Sequence, residues 1–115
     1  MSELNKKDSG RLEPSRIYRL ESLLDYVPGS IVSRTLVKNQ AGTVTLFTFD
    51  AGQALSEHLA PYDAMVQVLD GQAELTIGGK PVTVHTGETI IMPANIPHAV
   101  HSEQRSKILL IMIRE

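Results

Sequence analysis

From about residue 30 onward, short apolar and β-branched runs alternate with turn residues. The runs fall at 31–37, 43–49, 64–69, 73–77, 81–85, 89–92, 98–102 and 107–113. Between them stand Gln40-Ala41-Gly42, Asp50-Ala51-Gly52, Asp70-Gly71, Gly78-Gly79, Thr86-Gly87 and Pro93-Ala94-Asn95. Each run has the length of a strand, and each break supplies the Gly, Pro, Asn or Asp that a turn needs. Glu74 to Ile77 followed by Gly78-Gly79 predicts a hairpin, because two glycines readily take the positive φ of a tight turn. Eight or nine strands with no long helix predict an all-β sandwich or barrel.

Two patterns qualify that picture. Val44, Leu46 and Thr48 share one strand face, and Phe47 and Phe49 the other. The run 107–113 is apolar on both faces. A strand of that kind needs cover outside the barrel as well as inside. A second subunit would supply it, so a homodimer packed sheet against sheet is expected. Before residue 30 the texture differs. Residues 1–15 are polar, with Gly10 and Pro14, and read as a flexible arm; residues 16–115 read as the single barrel domain. Ile17, Leu20, Leu23 and Leu24 recur at helical spacing until Pro28-Gly29 ends the pattern, which predicts one short helical turn.

Composition narrows the function classes. A length of 115 residues fits one domain. The net charge of -2 gives no reason to expect nucleic acid or an anionic membrane as partner. The absence of cysteine excludes disulfides, thiolate metal sites and thiol nucleophiles. Residues 1–16 contain no apolar core of a secretory signal, and no apolar run approaches the roughly 20 residues needed to span a bilayer. A cytoplasmic protein is the expectation. No nucleophile elbow or phosphate-binding glycine loop is present.

Two segments carry the candidate chemistry. One runs from Gly52 through His58, Ala60 and Ala64 to Gly71; the other runs from Gly87 through Pro93, Asn95 and His98 to Ser102. Together they resemble the paired motifs of the cupin superfamily, G-x5-H-x-H-x3,4-E-x6-G and G-x5-P-x-G-x2-H-x3-N. Gly52, His58 and Gly71 match the first motif in spacing, and Gly87, Pro93 and His98 match the second. The resemblance covers about residues 30–113 and implies a double-stranded β-barrel, or jelly roll. It also implies a metal site of three histidines and a glutamate.

The departures bear on that site. Ala60 stands at the second histidine position and Ala64 at the glutamate position, while Asn95 and Ser102 replace a glycine and an asparagine. His58 and His98 alone carry over as metal ligands. Two imidazoles fall short of the three or four protein donors of a tight zinc site. Asp63, one residue from the lost glutamate, is the candidate third ligand if a loop or bulge re-aims it. Replacing two ligands by alanine instead leaves an apolar pocket with two polar contacts, expected to be lined by Ser56, Ala60, Tyr62, Ala64, Val66 and Val68. A divalent ion (zinc, iron, manganese or nickel) and no cofactor at all are equal expectations. Three functions stay open. The first is a small-molecule-binding barrel centred on His58 and His98. The second is a metal-dependent isomerase, dioxygenase or decarboxylase with a reduced ligand set, and the third a non-catalytic interaction or structural module. No residue is assigned a catalytic role.

Overall fold

The computed structural model describes residues 10–114. It contains one 3-10 turn, η1 (Leu20–Ser22), and eight strands. These are β1 (Ile31–Asn39), β2 (Gly42–Phe49), β3 (Gln53–His58), β4 (Ala64–Ile77), β5 (Lys80–His85), β6 (Thr89–Met92), β7 (His98–Ser102) and β8 (Ser106–Ile113). The expected all-β barrel with one helical turn is what forms. All strand pairs are antiparallel, in the order β1-β2-β8-β4-β7-β3, with β5 and β6 also paired to β4.

The strand β4 joins the two walls. Its first half pairs with β8 and β6, and its second half with β5 and β7. Asp70-Gly71 was expected to end a strand, yet β4 continues through it by bending. The register against β8 shifts between Val68 and Asp70, so one extra residue turns the strand. Gly71 makes the bend at φ 75°, where a Cβ would lie 2.1 Å from the Arg105 carbonyl oxygen. Only glycine fits there. The Gly78-Gly79 turn that follows has φ of 57° and 82°, as the hairpin pattern predicts.

The other addition is β3. Its sequence QALSEH is mostly polar and exposed, so it carries no apolar run for a sequence reading to find. It forms because β7 offers a free edge: Gln53 to Leu55 pair with Ser102 to Val100, and His58 with His98.

Two apolar clusters follow from strand alternation. Inside the barrel, Phe49, Val66, Val68, Leu75, Val100 and Ile108 pack with their neighbours. Outside the β1-β2-β8 wall, Leu36, Leu46 and Leu109 are covered by Leu12, Leu20, Leu23 and Leu24 of the same chain. The run 107–113 is thus apolar on both faces for a reason, since β8 has cover on each side of Leu109. Ile17, at the helical spacing of this segment, stays out of the cluster and is 96% exposed. A polar clamp holds the segment down. The Tyr26 hydroxyl donates to Asp70, the Arg105 guanidinium lies 5.2 Å and Lys107 Nζ 5.0 Å from the Tyr26 ring centroid, and Lys107 Nζ donates to the Glu21 carbonyl at 2.5 Å. Burial, then the Asp70 carboxylate, push the Tyr26 hydroxyl well above its ordinary pKa, so it stays protonated and donating.

Of the expected arm, residues 1–9 lie outside the described residues. Residues 10–14 run beside β1, where the Gly10 carbonyl accepts from Arg34 Nε at 2.6 Å and the Leu12 amide donates to the Leu36 carbonyl at 2.9 Å. Among the described residues no helix is long and apolar enough to cross a membrane.

Candidate functional site

A cavity of about 120 Å³ occupies the barrel interior. Inward positions of the strands build it. Phe47 and Phe49 come from β2, Leu55 and His58 from β3, and Ala64 and Val66 from β4. Met92 comes from β6, His98 and Val100 from β7, and Ile108, Leu110 and Met112 from β8; Ala60 closes the loop after β3. Apart from the two imidazoles, every lining side chain is apolar.

The histidines meet across the β3-β7 pair. Their Nε2 atoms lie 3.1 Å apart, with ring centroids 4.3 Å apart and ring planes at 74°. His98 is 4% exposed, whereas His58 is exposed and marks the mouth of the cavity. Each ring is oriented by its own backbone. His58 Nδ1 lies 2.9 Å from the Ser56 carbonyl, and His98 Nδ1 lies 3.2 Å from the Ile96 carbonyl. A carbonyl oxygen only accepts, which assigns the hydrogen to each Nδ1 and turns each Nε2 toward the other ring. Burial and, after it, the neighbouring His58 imidazole hold His98 below the ordinary histidine pKa, against the opposing pull of the Ile96 carbonyl.

A backbone irregularity puts His58 here. The β3-β7 register shifts between Leu55 and His58, so Leu55 and His58 both face the cavity although they are three apart. Regular alternation would have sent Ser56 inward with His58. The bulge breaks that phase, and Ser56 is exposed, contributing its carbonyl rather than its hydroxyl.

The other expected pocket residues divide. Ala60, Ala64 and Val66 line the cavity with His58 and His98. Val68 is fully buried in the barrel core but is not part of the lining. Tyr62 and Asp63 lie in a groove on the outside of the barrel, together with Pro61, Met65, Ile91 and Ile113. There the Arg114 guanidinium sits 5.7 Å from the Tyr62 ring centroid, and an Asp63 carboxylate oxygen accepts from the Ala94 amide at 2.9 Å. The large lining residues of β2 and β8 were absent from the expected pocket. Their signal was present, as the alternate positions 47 and 49, and 108, 110 and 112, which fall on the inner face once the strands pair.

His85 and His101 bear on a different surface. His85 Nδ1 lies 3.1 Å from Glu88 and His101 Nδ1 lies 3.4 Å from Glu74, both exposed. Among the described residues no group of three or more His, Cys, Asp or Glu gathers in a way that could hold a metal ion. The resemblance implies such an ion, and the paired Nε2 atoms with backbone-anchored Nδ1 atoms have the orientation that ligating histidines adopt. The donor count does not follow. Ala60 and Ala64 line the wall with methyl groups, and the Asp63 carboxylate is engaged outside the cavity. The residues present therefore do not fit a resident metal.

The sequence matches the profile of the cupin domain over residues 45–114. Solved structures agree. A conserved protein of unknown function from Streptococcus pyogenes is 36% identical, with a TM-score of 0.85 over 90% of this chain and 91% of its own. A cupin 2 conserved barrel domain protein from Leptotrichia buccalis is 41% identical, with a TM-score of 0.82 over 84% of this chain. The match covers 47% of that protein, so this chain spans about half its length. A cupin superfamily protein from Desulfitobacterium hafniense is 25% identical, with a TM-score of 0.84 over 90% of this chain and 95% of its own. No curated protein sequence matches the chain. The matched motif segments, the antiparallel barrel and these relatives agree on one conclusion: the chain belongs to the cupin family.

Proposed function

We propose that the barrel binds a small organic molecule in the cavity shared by His58 and His98, as a sensor or carrier. The observation that carries this reading is an apolar cavity whose polar contacts are gathered at one place, the two facing Nε2 atoms. Binding sites of this kind use apolar walls for affinity and a few convergent polar groups for orientation. The volume of about 120 Å³ is small beside the roughly 300–1,000 Å³ of drug-sized pockets, so the ligand is a small one.

A thermal-shift screen of small apolar compounds tests it. A ligand at one hundred times its Kd stabilises the folded state by about 2.7 kcal/mol. A rise in Tm that is lost in His58→Ala supports the site. A screen in which no compound raises Tm, and in which xenon fails to enter the cavity, sinks it. Elemental analysis of protein purified without tag or chelator separates the second reading, a metal-dependent enzyme of the isomerase, dioxygenase or decarboxylase kind. About one transition metal per chain, lost in His58→Ala and retained in His85→Ala, would favour it.

A second copy of the chain is the proposed partner. Val37, Val44, Ile111, Met65 and Ile91 are register neighbours across β1, β2, β8, β4 and β6 and make one unbroken apolar row on the outer face. Val37, Met65 and Ile91 are 45%, 38% and 54% exposed. The chain's own residues Leu12, Leu20, Leu23 and Leu24 cover the adjoining part of this face, in a cluster that Val44 and Ile111 also join. An identical face turned through a two-fold axis matches an apolar row with an apolar row.

A further inference from the structure

We infer that the ligand of the barrel cavity is a small uncharged molecule with an apolar body and one hydrogen-bond donor as its head, a phenol or a compact alcohol, held on the Nε2 atoms of His58 and His98. This rests on the cavity being the binding site proposed above, and adds the chemical class.

Donors and acceptors inside the cavity do not balance. Both Nδ1–H groups are already spent on the carbonyls of Ser56 and Ile96. In the neutral rings each Nε2 is then an acceptor with a free lone pair. These two acceptors face each other at 3.1 Å. No other lining residue carries an O–H or N–H on its side chain. The cavity therefore offers two acceptors and no side-chain donor. Of the two only His98 is buried, and an Nε2 there that meets a lone pair instead of a donor is costly, while two facing lone pairs repel as well. A ligand that brings an O–H places its one hydrogen on the buried His98 Nε2 or shares it between the two Nε2 atoms, and so puts a donor between the facing lone pairs. A ketone, an ester or a carboxylate brings only acceptors and meets no side-chain donor. A carboxylate would in addition leave its hydration for apolar walls.

Size sets the body. An engineered apolar cavity of about 150 Å³ in another protein holds benzene. The cavity here, of about 120 Å³, takes at most a single ring. Phe47 and Phe49, with ring centroids 6.0 Å apart, form an aromatic wall suited to such a ring.

Isothermal titration at pH 8 with phenol, toluene and benzoate tests the class, because the three share a ring and differ in the head. Phenol is expected to bind, toluene to bind about fivefold more weakly or worse, and benzoate to give no measurable binding. In His58→Leu/His98→Leu, shown to be folded by circular dichroism, phenol and toluene should bind alike. Imidazole 15N spectra of the unaltered protein keep the test decisive if that variant does not fold. Phenol should move the Nε2 resonances of both histidines, and toluene should leave them in place. Toluene binding as tightly as phenol, benzoate binding more tightly, or Nε2 resonances unmoved by phenol would each overturn the donor-headed class while the small-molecule reading stands. Failure of all three compounds and of xenon to bind would remove both.

Discussion

His58 and His98 meet Nε2 to Nε2 at 3.1 Å while their Nδ1 atoms face the carbonyls of Ser56 and Ile96. One ring is exposed and the other buried, so the pair joins the mouth of the cavity to its interior. That difference in burial makes the pair sensitive to protons in one direction. His98 has its folded pKa lowered, chiefly by burial. The unfolded chain takes up this proton near pH 6.5 and the folded chain only at lower pH. The stability contributed by neutral His98 is complete above about pH 6.5 and is lost as pH falls through that value toward the lower folded one. Urea unfolding between pH 8 and pH 5 should show this decline, and it should be shallower in His98→Gln. A decline of equal slope in the variant would assign it to other groups.

Ala64→Leu should close the cavity. Ala64 is 1% exposed and lines the wall, so three added carbons must enter the space a ligand would use. Overpacking of this kind costs about 1–3 kcal/mol where the core cannot yield. Here the void absorbs part of the volume, and Tm should change little while ligand-induced shifts in Tm disappear. Unchanged ligand binding in a folded Ala64→Leu protein would place the site elsewhere.

Gly71→Ala should destabilise the barrel strongly. The residue combines a φ of 75° with a Cβ position 2.1 Å from a backbone oxygen. Backbone strain alone is about 1–3 kcal/mol, and the steric overlap adds to it. Gly52→Ala is the control, because its φ of 84° is similar and no atom lies within 4 Å of the added Cβ. Chemical denaturation should rank Gly71→Ala well below Gly52→Ala, and equal losses would mean that the bend tolerates a side chain.

Sedimentation should give about twice the chain mass of 12.6 kDa. Ile111→Lys, at the half-buried middle of the outer apolar row, should return the protein to monomer with its circular dichroism intact. A monomer in the unaltered protein at micromolar concentration would refute the proposed partner.

The legible parts of the fold were those with strong local signals. Gly78-Gly79 announced its hairpin, and the inward alternation of Ala64, Val66 and Val68 placed them in the core. What stayed hidden depended on partners distant in sequence. QALSEH becomes a strand only because β7 lies beside it, and its bulge cannot be read from a segment whose one large apolar residue is Leu55. That bulge is why Ser56 left the pocket. Asp70-Gly71 looks like any turn until Arg105 is seen behind it. Tyr62 and Asp63 sit close to the motif in sequence, yet the loop carries them to the outer wall, where the Ala94 amide and Arg114 hold them. His58 and His98 were found together because each stands in a spaced motif, whereas the aromatic and aliphatic lining carries no motif.

The position of β8 has a consequence for how the barrel is made. It is the last of the eight strands along the chain, yet it lies between β2 and β4 in the sheet. Gly42 pairs with Ile113 and Leu46 with Leu109, so these contacts close long loops, which folds slowly. On a ribosome, everything through β7 emerges while the inner edges of β2 and β4 are still unpaired. The cavity then lacks the wall of Ile108, Leu110 and Met112. Until β8 slots into place, the nascent chain carries two open strand edges and an unsealed apolar interior, the combination most exposed to mispairing with a neighbouring chain.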